Sequence, residues 1–180
     1  MTTENDTAKT PARTARKTTD ARFSAEQPTR LDWTKLRPDV YKALATLEQV
    51  SRVGLEPDLL HLVRLRASQL NHCAFCVDMH TKDALATGET VQRLMHLGTL
   101  EESPHFYTER ELAALELTEA VTVLTDGFVP DEVWGRAAAH FDEEELTGLL
   151  AAIVAINAWN RYGVATRMRA GDYQAGDIHH

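Results

Sequence analysis

The sequence predicts an all-α domain, and three observations support this fold class. Apolar residues recur at spacings of three and four, and no segment shows the strict apolar and polar alternation of a half-buried strand. Glycine and proline are sparse, with nine and six in 180 residues, which disfavours a loop-rich or all-β fold. Residues that start or stop helices also recur along the chain.

About six to seven helices are predicted, and most of them begin at a proline or a capping residue. They run from Pro38 to Val50, from Pro57 toward Asn71, from about Cys73 to Thr87, from about Val91 to Leu97, from Thr108 toward Gly127, from Pro130 to about Phe141, and from Asp142 to Tyr162 or beyond. The last helix is apolar nearly all round, so the domain core or another subunit must cover it. We therefore expect a homo-oligomer that associates through long apolar helices.

The predicted domain spans residues 31–170, and the two ends of the chain lie outside it. Residues 1–30 nearly lack large apolar side chains, so we expect a disordered N-terminal tail. Residues 171–180 are predicted to form a flexible C-terminus.

The charge of the chain is formally −8, and the acidic excess lies beyond residue 30, because residues 1–30 carry six basic and four acidic side chains. An acidic body repels phosphate backbones, so we expect no nucleic-acid partner. The longest apolar stretch, Leu149 to Ile156, is too short to cross a bilayer, so we expect no membrane partner. No secretory apolar segment is found near the N-terminus, which favours a cytoplasmic location.

The candidate functional residues are Cys73, Cys76 and His80. Their spacing of three and four places two thiols and an imidazole on one face of a helix. The first turn of a helix stabilises a thiolate, and a nearby imidazole can take the proton of a thiol. Two such thiols can form a reversible disulfide or resolve a sulfenic acid. The pattern favours a thiol oxidoreductase that needs no metal or other cofactor.

Three other interpretations stay open on the residues alone. Two cysteines at helical spacing can be inert core residues. Zinc could be held by Cys73, Cys76 and His80 with His72 or His61 as the fourth ligand, although three ligands on one helix would be unusual. A protein disulfide reductase or isomerase would use the same pair of cysteines.

The region around the cysteines resembles the alkylhydroperoxidase D-like branch of the carboxymuconolactone decarboxylase family. The matching residues are the run from Leu65 to Ala84 (with Ser68-Gln69, Asn71, Cys73, Cys76 and His80), then Gly88-Glu89, Tyr107 to Glu111 and Ile156 to Arg161. The resemblance covers roughly residues 31–170.

This resemblance implies an all-helical fold and reduction of hydrogen peroxide or organic hydroperoxides. In the family's pattern Cys76 attacks the hydroperoxide, Cys73 resolves the product and His80 relays protons. A protein or small-molecule dithiol then resets the pair. The resemblance also implies a homotrimer or hexamer. Decarboxylation of a lactone needs no vicinal thiol pair, so the two cysteines disfavour the activity in the family's name.

The sequence departs from the family's pattern at one position. Members commonly have a glutamate twelve residues before the first cysteine, as part of the proton relay, and this chain has His61 there. A histidine can accept and donate protons near neutral pH, so we expect His61 to belong to the catalytic set. It cannot supply a fixed negative charge, and a cationic His61 would lower the pKa of Cys76. Glu56 lies five residues earlier and is not assigned the role.

Overall fold

The computed structural model describes residues 28–177, and within that range it contains eight α-helices and no strand. The helices are α1 (Trp33–Leu36), α2 (Pro38–Val50), α3 (Pro57–Leu70), α4 (Ala74–Ala86), α5 (Val91–His96), α6 (Glu109–Thr122), α7 (Asp131–His140) and α8 (Glu143–Thr166). Two short 3-10 turns, Leu97–Thr99 and Pro104–Phe106, connect α5 to α6. The predicted all-α class is confirmed.

The helix starts follow the local sequence signals. The prolines that begin α2 and α3 occupy the first helical position, where a missing N–H costs nothing. At the start of α6, the Glu111 amide donates to Thr108 Oγ1 over 3.2 Å, and the Thr108 amide donates to Glu111 Oε2 over 2.8 Å. Asp142 and Glu145 form the same reciprocal pair at the start of α8. Both helices therefore begin with a capping box, at the capping residues Thr108 and Asp142 where the sequence placed their starts.

The sequence did not predict α1, so the expected six to seven helices are too few for the described residues. Four residues are too short to show a helical period. Trp33 is buried, and its ring stacks on Tyr162 of α8 with 4.0 Å between the ring centroids. Tertiary packing of one aromatic side chain therefore stabilises this turn, rather than a local pattern.

The centre of the domain is formed by α3 and α8. Helix α3 packs against α4, α6 and α8, while α2 packs along the other side of α8. On α8, Leu149, Ile153 and Ile156 are almost completely buried, whereas Val154 and Val164 stay about half exposed. The domain itself thus covers most of this apolar helix.

The end of α8 leads into a segment that packs back on α4. Tyr173 is buried, and its hydroxyl donates to Asp83 over 2.7 Å. The ammonium group of Lys82 donates to the carbonyl oxygen of Tyr173 over 2.8 Å. The packed domain therefore extends at least to Tyr173, beyond the limit of residue 170 expected from the sequence.

The predicted N-terminal tail lies outside the described residues, apart from residues 28–30, as do residues 178–180 at the other end. Among the helices of residues 28–177, none has both the length and the apolar character required to span a membrane.

Candidate functional site

The two cysteines lie at the tight connection between α3 and α4. Helix α3 ends at Leu70 with Asn71 as its C-cap, and His72 adopts a left-handed backbone conformation with φ of 55°. Cys73 then caps α4: its Sγ accepts the amide N–H of Cys76 over 3.4 Å. The first sulfur therefore lies at the positive end of the helix dipole, where a thiolate is favoured.

The sulfur atoms of Cys73 and Cys76 are bonded to each other. Their Cα atoms are 5.3 Å apart, a common separation for a disulfide. Both side chains are buried, at 2% and 3% exposure. The pair that the sequence singled out is therefore close enough to cycle between dithiol and disulfide without rearrangement of the backbone.

A small cavity of about 40 Å³ borders one sulfur of the pair. Its lining includes Cys76 and not Cys73. The other lining residues are mostly aromatic or apolar: Trp33, Thr34, Tyr41, Glu48, Phe75, Met79, His80, Ile156, Trp159 and Met168. A space of this size holds one or two water-sized molecules, and of the two cysteines only Cys76 borders it.

His80 follows Cys76 by about one helical turn and is buried. It lines the small cavity and also a second, more open cavity of about 520 Å³. The larger cavity is bordered by Arg52, Leu55, Pro57, Leu60, His61, Arg64, Asp83, Ala86, Thr87, Tyr173, Ala175 and Gly176. Burial and the bond to Asp83 raise the pKa of Tyr173 to about 12, so its phenol stays protonated. His80 therefore borders both the small cavity at Cys76 and the more open cavity.

His61 lies on α3 and borders the larger cavity with His80, but it does not line the cavity at Cys76. Burial, reinforced by the positive charge of Arg64, lowers the pKa of His61 below its ordinary value of 6.5. His61 is therefore uncharged at neutral pH, and it does not supply the positive charge that a cationic histidine would bring to the site.

The pKa of His61 predicts how stability responds to acid. Because its pKa is lowered by folding, the unfolded chain binds the proton first as the pH falls through 6.5. Acidification below that pH therefore destabilises the native state through His61. We expect His61→Gln to lose less stability than the parent chain between pH 7.5 and pH 5.5. Urea denaturation of the oxidised proteins at both pH values measures this, and equal losses would contradict it.

The zinc interpretation needs the two sulfurs as ligands, and in this structure they are bonded to each other. His72, one of its suggested fourth ligands, is exposed at the connection between α3 and α4. Within residues 28–177 no group of three or more His, Cys, Asp or Glu side chains is arranged to hold a metal ion.

A buried network of amides fixes the end of α3 against α8. Asn71 Nδ2 donates to the side-chain oxygens of Asn157 and Asn160 over 2.9 and 3.0 Å. Asn160 Nδ2 donates to Ser68 Oγ over 3.0 Å. The motif residues Ser68, Asn71, Asn157 and Asn160 therefore position the connection that carries the cysteines.

Loss of one amide from this network should be costly, because a buried polar group that loses its partner is left desolvated. Asn160 is fully buried. We expect Asn160→Ala to lower the free energy of unfolding by about 2–3 kcal/mol. Thr147→Ala, at an exposed position of the same helix, should cost at most about 0.5 kcal/mol. Urea denaturation compares the two, and equal losses would contradict the structural role of the network.

Comparison with known proteins places this geometry in a family. Residues 38–120 match the model of the carboxymuconolactone decarboxylase family. The chain is also 39% identical to the uncharacterized protein YdfG of Bacillus subtilis over 142 residues, which is 78% of this chain and 96% of YdfG. The chain belongs to the carboxymuconolactone decarboxylase family.

Solved structures place it among the AhpD-like members of this family. One of them is the crystal structure of a protein of unknown function from Agrobacterium tumefaciens, described as a candidate antioxidant defence protein AhpD. Its sequence is 39% identical to this chain, and the two structures superpose with a TM-score of 0.77 over 81% of this chain and all of that one. The debrominase Bmp8 shares the fold at 20% identity, with a TM-score of 0.68 over 77% of this chain and 75% of its own. The resemblance drawn from the sequence is therefore confirmed.

Two residues of the candidate site were missed by the sequence analysis. Glu48 of α2 lines the cavity at Cys76. The sequence feature that could have indicated it is a single carboxylate at the helical spacing of the apolar residues Tyr41 and Leu44. Gly163 of α8 lies against both sulfurs, since a Cβ built on it falls 2.7 Å from Cys73 Sγ. Its signal was a glycine inside an apolar helix, which indicates close approach by another group.

Proposed function

We propose that this member of the carboxymuconolactone decarboxylase family is a thiol peroxidase that reduces hydrogen peroxide or organic hydroperoxides. Cys76 attacks the peroxide, Cys73 resolves the product and His80 relays protons. The observation that carries the proposal is that Cys76, bonded to Cys73, borders the small apolar cavity that also contains His80.

The first step uses the Cys76 thiolate. It attacks one peroxide oxygen, the O–O bond breaks, and the departing alkoxide takes a proton and leaves as an alcohol, or as water from hydrogen peroxide. Cys76 is then a sulfenic acid. His80 accepts the proton of the thiol before attack and can return it to the departing oxygen.

The second step uses the Cys73 thiolate. It attacks the Cys76 sulfenic acid, the S–O bond breaks, and hydroxide leaves as water after protonation. The amide N–H of Cys76 donates to Cys73 Sγ over 3.4 Å and the start of α4 adds its dipole, so both stabilise the Cys73 thiolate that makes this attack. A small-molecule dithiol then exchanges with the disulfide and restores both thiols.

Burial of the sulfurs separates this function from protein disulfide reduction. Each cysteine is at most 3% exposed, and the cavity of about 40 Å³ admits a small oxidant but not a disulfide on a folded protein. The geometry therefore favours a peroxide over a protein disulfide as the oxidising substrate.

Steady-state turnover distinguishes these functions. The reduced protein is mixed with dithiothreitol and either hydrogen peroxide, cumene hydroperoxide or a disulfide-bonded protein. We expect dithiothreitol-dependent consumption of at least one hydroperoxide and no acceleration of protein disulfide reduction. If the protein accelerates reduction of the disulfide-bonded substrate and consumes no hydroperoxide, the proposal is overturned and a disulfide reductase is favoured.

We further propose that the protein works as a homotrimer or hexamer in the cytoplasm, where dithiol reductants are available. The half-exposed Val154 and Val164 on α8 leave apolar surface for such an assembly. Light scattering of the reduced protein measures its mass.

A further inference from the structure

A buried carboxylate lies beside the proposed thiol centre. Glu48 of α2 is 3% exposed. Its Oε1 lies 2.7 Å from Nη2 of Arg64 on α3 and 3.5 Å from Nη2 of Arg52. An ion pair buried this deeply contributes little net stability, because desolvation of both charges offsets their attraction. Packing alone therefore gives little reason for a glutamate at this position.

The second carboxylate oxygen distinguishes Glu48 from an ordinary ion-pair partner. Glu48 Oε2 is inaccessible to solvent and accepts no hydrogen bond from the described residues. Glu48 also lines the small cavity together with Cys76 and His80. A nucleophile, an imidazole and a carboxylate acceptor thus share one enclosed space, which is the set of groups that an activated nucleophile needs.

The charged and titratable groups around Glu48 come from α2, the segment that follows it, α3 and α4. Arg52 follows α2, Arg64 belongs to α3, and His80 with Cys76 belongs to α4. Tyr41 of α2 also lines the cavity. Helices α1 and α8 contribute uncharged side chains to it: Trp33, Thr34, Ile156 and Trp159. Among the described residues that line this cavity, Glu48 is the single carboxylate.

We infer that Glu48 orients His80 and stabilises its protonated form while Cys76 is deprotonated, so that Cys76, His80 and Glu48 act as one unit. Glu48 is a positioning residue, because it acts on the sulfur through the imidazole. The inference rests on the proposed role of Cys76 as the nucleophile. The S–H bond of Cys76 breaks, its proton moves to His80, and the negative Glu48 offsets the charge that appears there. After attack that proton passes to the departing alkoxide, and His80 returns to its neutral form.

Alkylation of Cys76 tests this inference without any peroxide. In a Cys73→Ser background the chain has one thiol, so iodoacetamide reports the Cys76 thiolate alone. We expect Glu48→Gln to slow alkylation at pH 7 at least about tenfold, and to leave the rate at pH 10 unchanged, because the thiol is then deprotonated without help. Glu48→Asp, which keeps the charge, should recover part of the rate.

The matched control is Glu119→Gln. Glu119 also forms an ion pair, with 2.7 Å between its Oε1 and Arg66 Nε, and it borders neither cavity of the site. We expect no change in alkylation for this variant. A Glu48→Gln rate within twofold of its parent at pH 7, or an equal loss at pH 7 and pH 10, would overturn the inference.

A second comparison covers the case in which Glu48→Gln does not fold, since that variant leaves Arg64 buried and unpaired. Arg64→Met and the double variant Glu48→Gln/Arg64→Met differ in the carboxylate alone. The double variant should alkylate more slowly than Arg64→Met at pH 7 and equally at pH 10, and equal rates at pH 7 would contradict the role of Glu48. If the parent protein does not turn over peroxide but the alkylation rates follow this pattern, the proposed peroxidase function is rejected. The inference that Cys76, His80 and Glu48 act as one unit is then still supported.

Discussion

Cys76→Ser is expected to lower peroxide turnover by about 10³-fold or more, because a serine hydroxyl is not ionised near neutral pH and cannot replace a thiolate nucleophile. Cys76 borders the small cavity, and Cys73 does not. Peroxide consumption in the presence of dithiothreitol measures the effect. The substitution replaces one sulfur by oxygen, so a melting temperature close to that of the reduced parent would show that the fold is retained.

Cys73→Ser provides the matched comparison, since it removes the other sulfur of the same pair. The variant should still react with one equivalent of peroxide, and mass spectrometry should find Cys76 as a trapped sulfenic acid or as a more oxidised form. Wild-type turnover by Cys76→Ser would show that the nucleophile is assigned wrongly. If Cys76→Ser still reacts with one equivalent of peroxide and Cys73→Ser does not, Cys73 is the nucleophile and Cys76 the resolving residue.

Gly163→Ala is expected to weaken the disulfide. A Cβ on Gly163 would lie 2.7 Å from Cys73 Sγ and 3.4 Å from Cys76 Sγ. The bonded sulfurs cannot rotate away, whereas free thiols can. The clash should therefore destabilise the oxidised form by about 1–3 kcal/mol, which raises the reduction potential by about 20–60 mV. Equilibration with dithiothreitol buffers measures the potential.

Gly148→Ala is the control for this prediction. Gly148 lies on the same helix, and a Cβ there would meet its nearest neighbour, the carbonyl oxygen of Val53, at an ordinary 3.5 Å. Both variants remove a glycine from a helix, which stabilises the helix by about 1 kcal/mol in each redox state. Gly148→Ala should keep the parental potential. Equal potentials for the two variants would show that Gly163 does not provide space for the sulfurs.

The helices were predictable because their ends depend on local chemistry. Pro57 can occupy the first turn of a helix, and Asp142 with Glu145 closes a capping box, whatever the rest of the chain does. Helix α1 was not predictable, because its four residues are held by the stacking of Trp33 on Tyr162, more than a hundred positions away. The return of Tyr173 onto α4 depends in the same way on its contacts with Asp83 and Lys82.

The candidate site was predictable where its residues share one helix. Cys73, Cys76 and His80 are neighbours through their spacing alone. Glu48 and Gly163 lie on other helices, so only the tertiary fold brings them to the sulfurs. The sequence led us to place His61 in the catalytic set beside His80, because it occupies the position of the family's glutamate. The structure places His61 on the larger cavity, whereas a carboxylate from α2, that of Glu48, lines the small cavity that Cys76 borders.

The most direct test of the thiol peroxidase is a single reaction of the reduced protein with hydrogen peroxide or an organic hydroperoxide, followed by thiol counting and intact mass. We expect the loss of both thiols and of two hydrogens per chain within one equivalent of peroxide, and full reversal by dithiothreitol. Retention of both free thiols, with the peroxide unconsumed, would contradict the account.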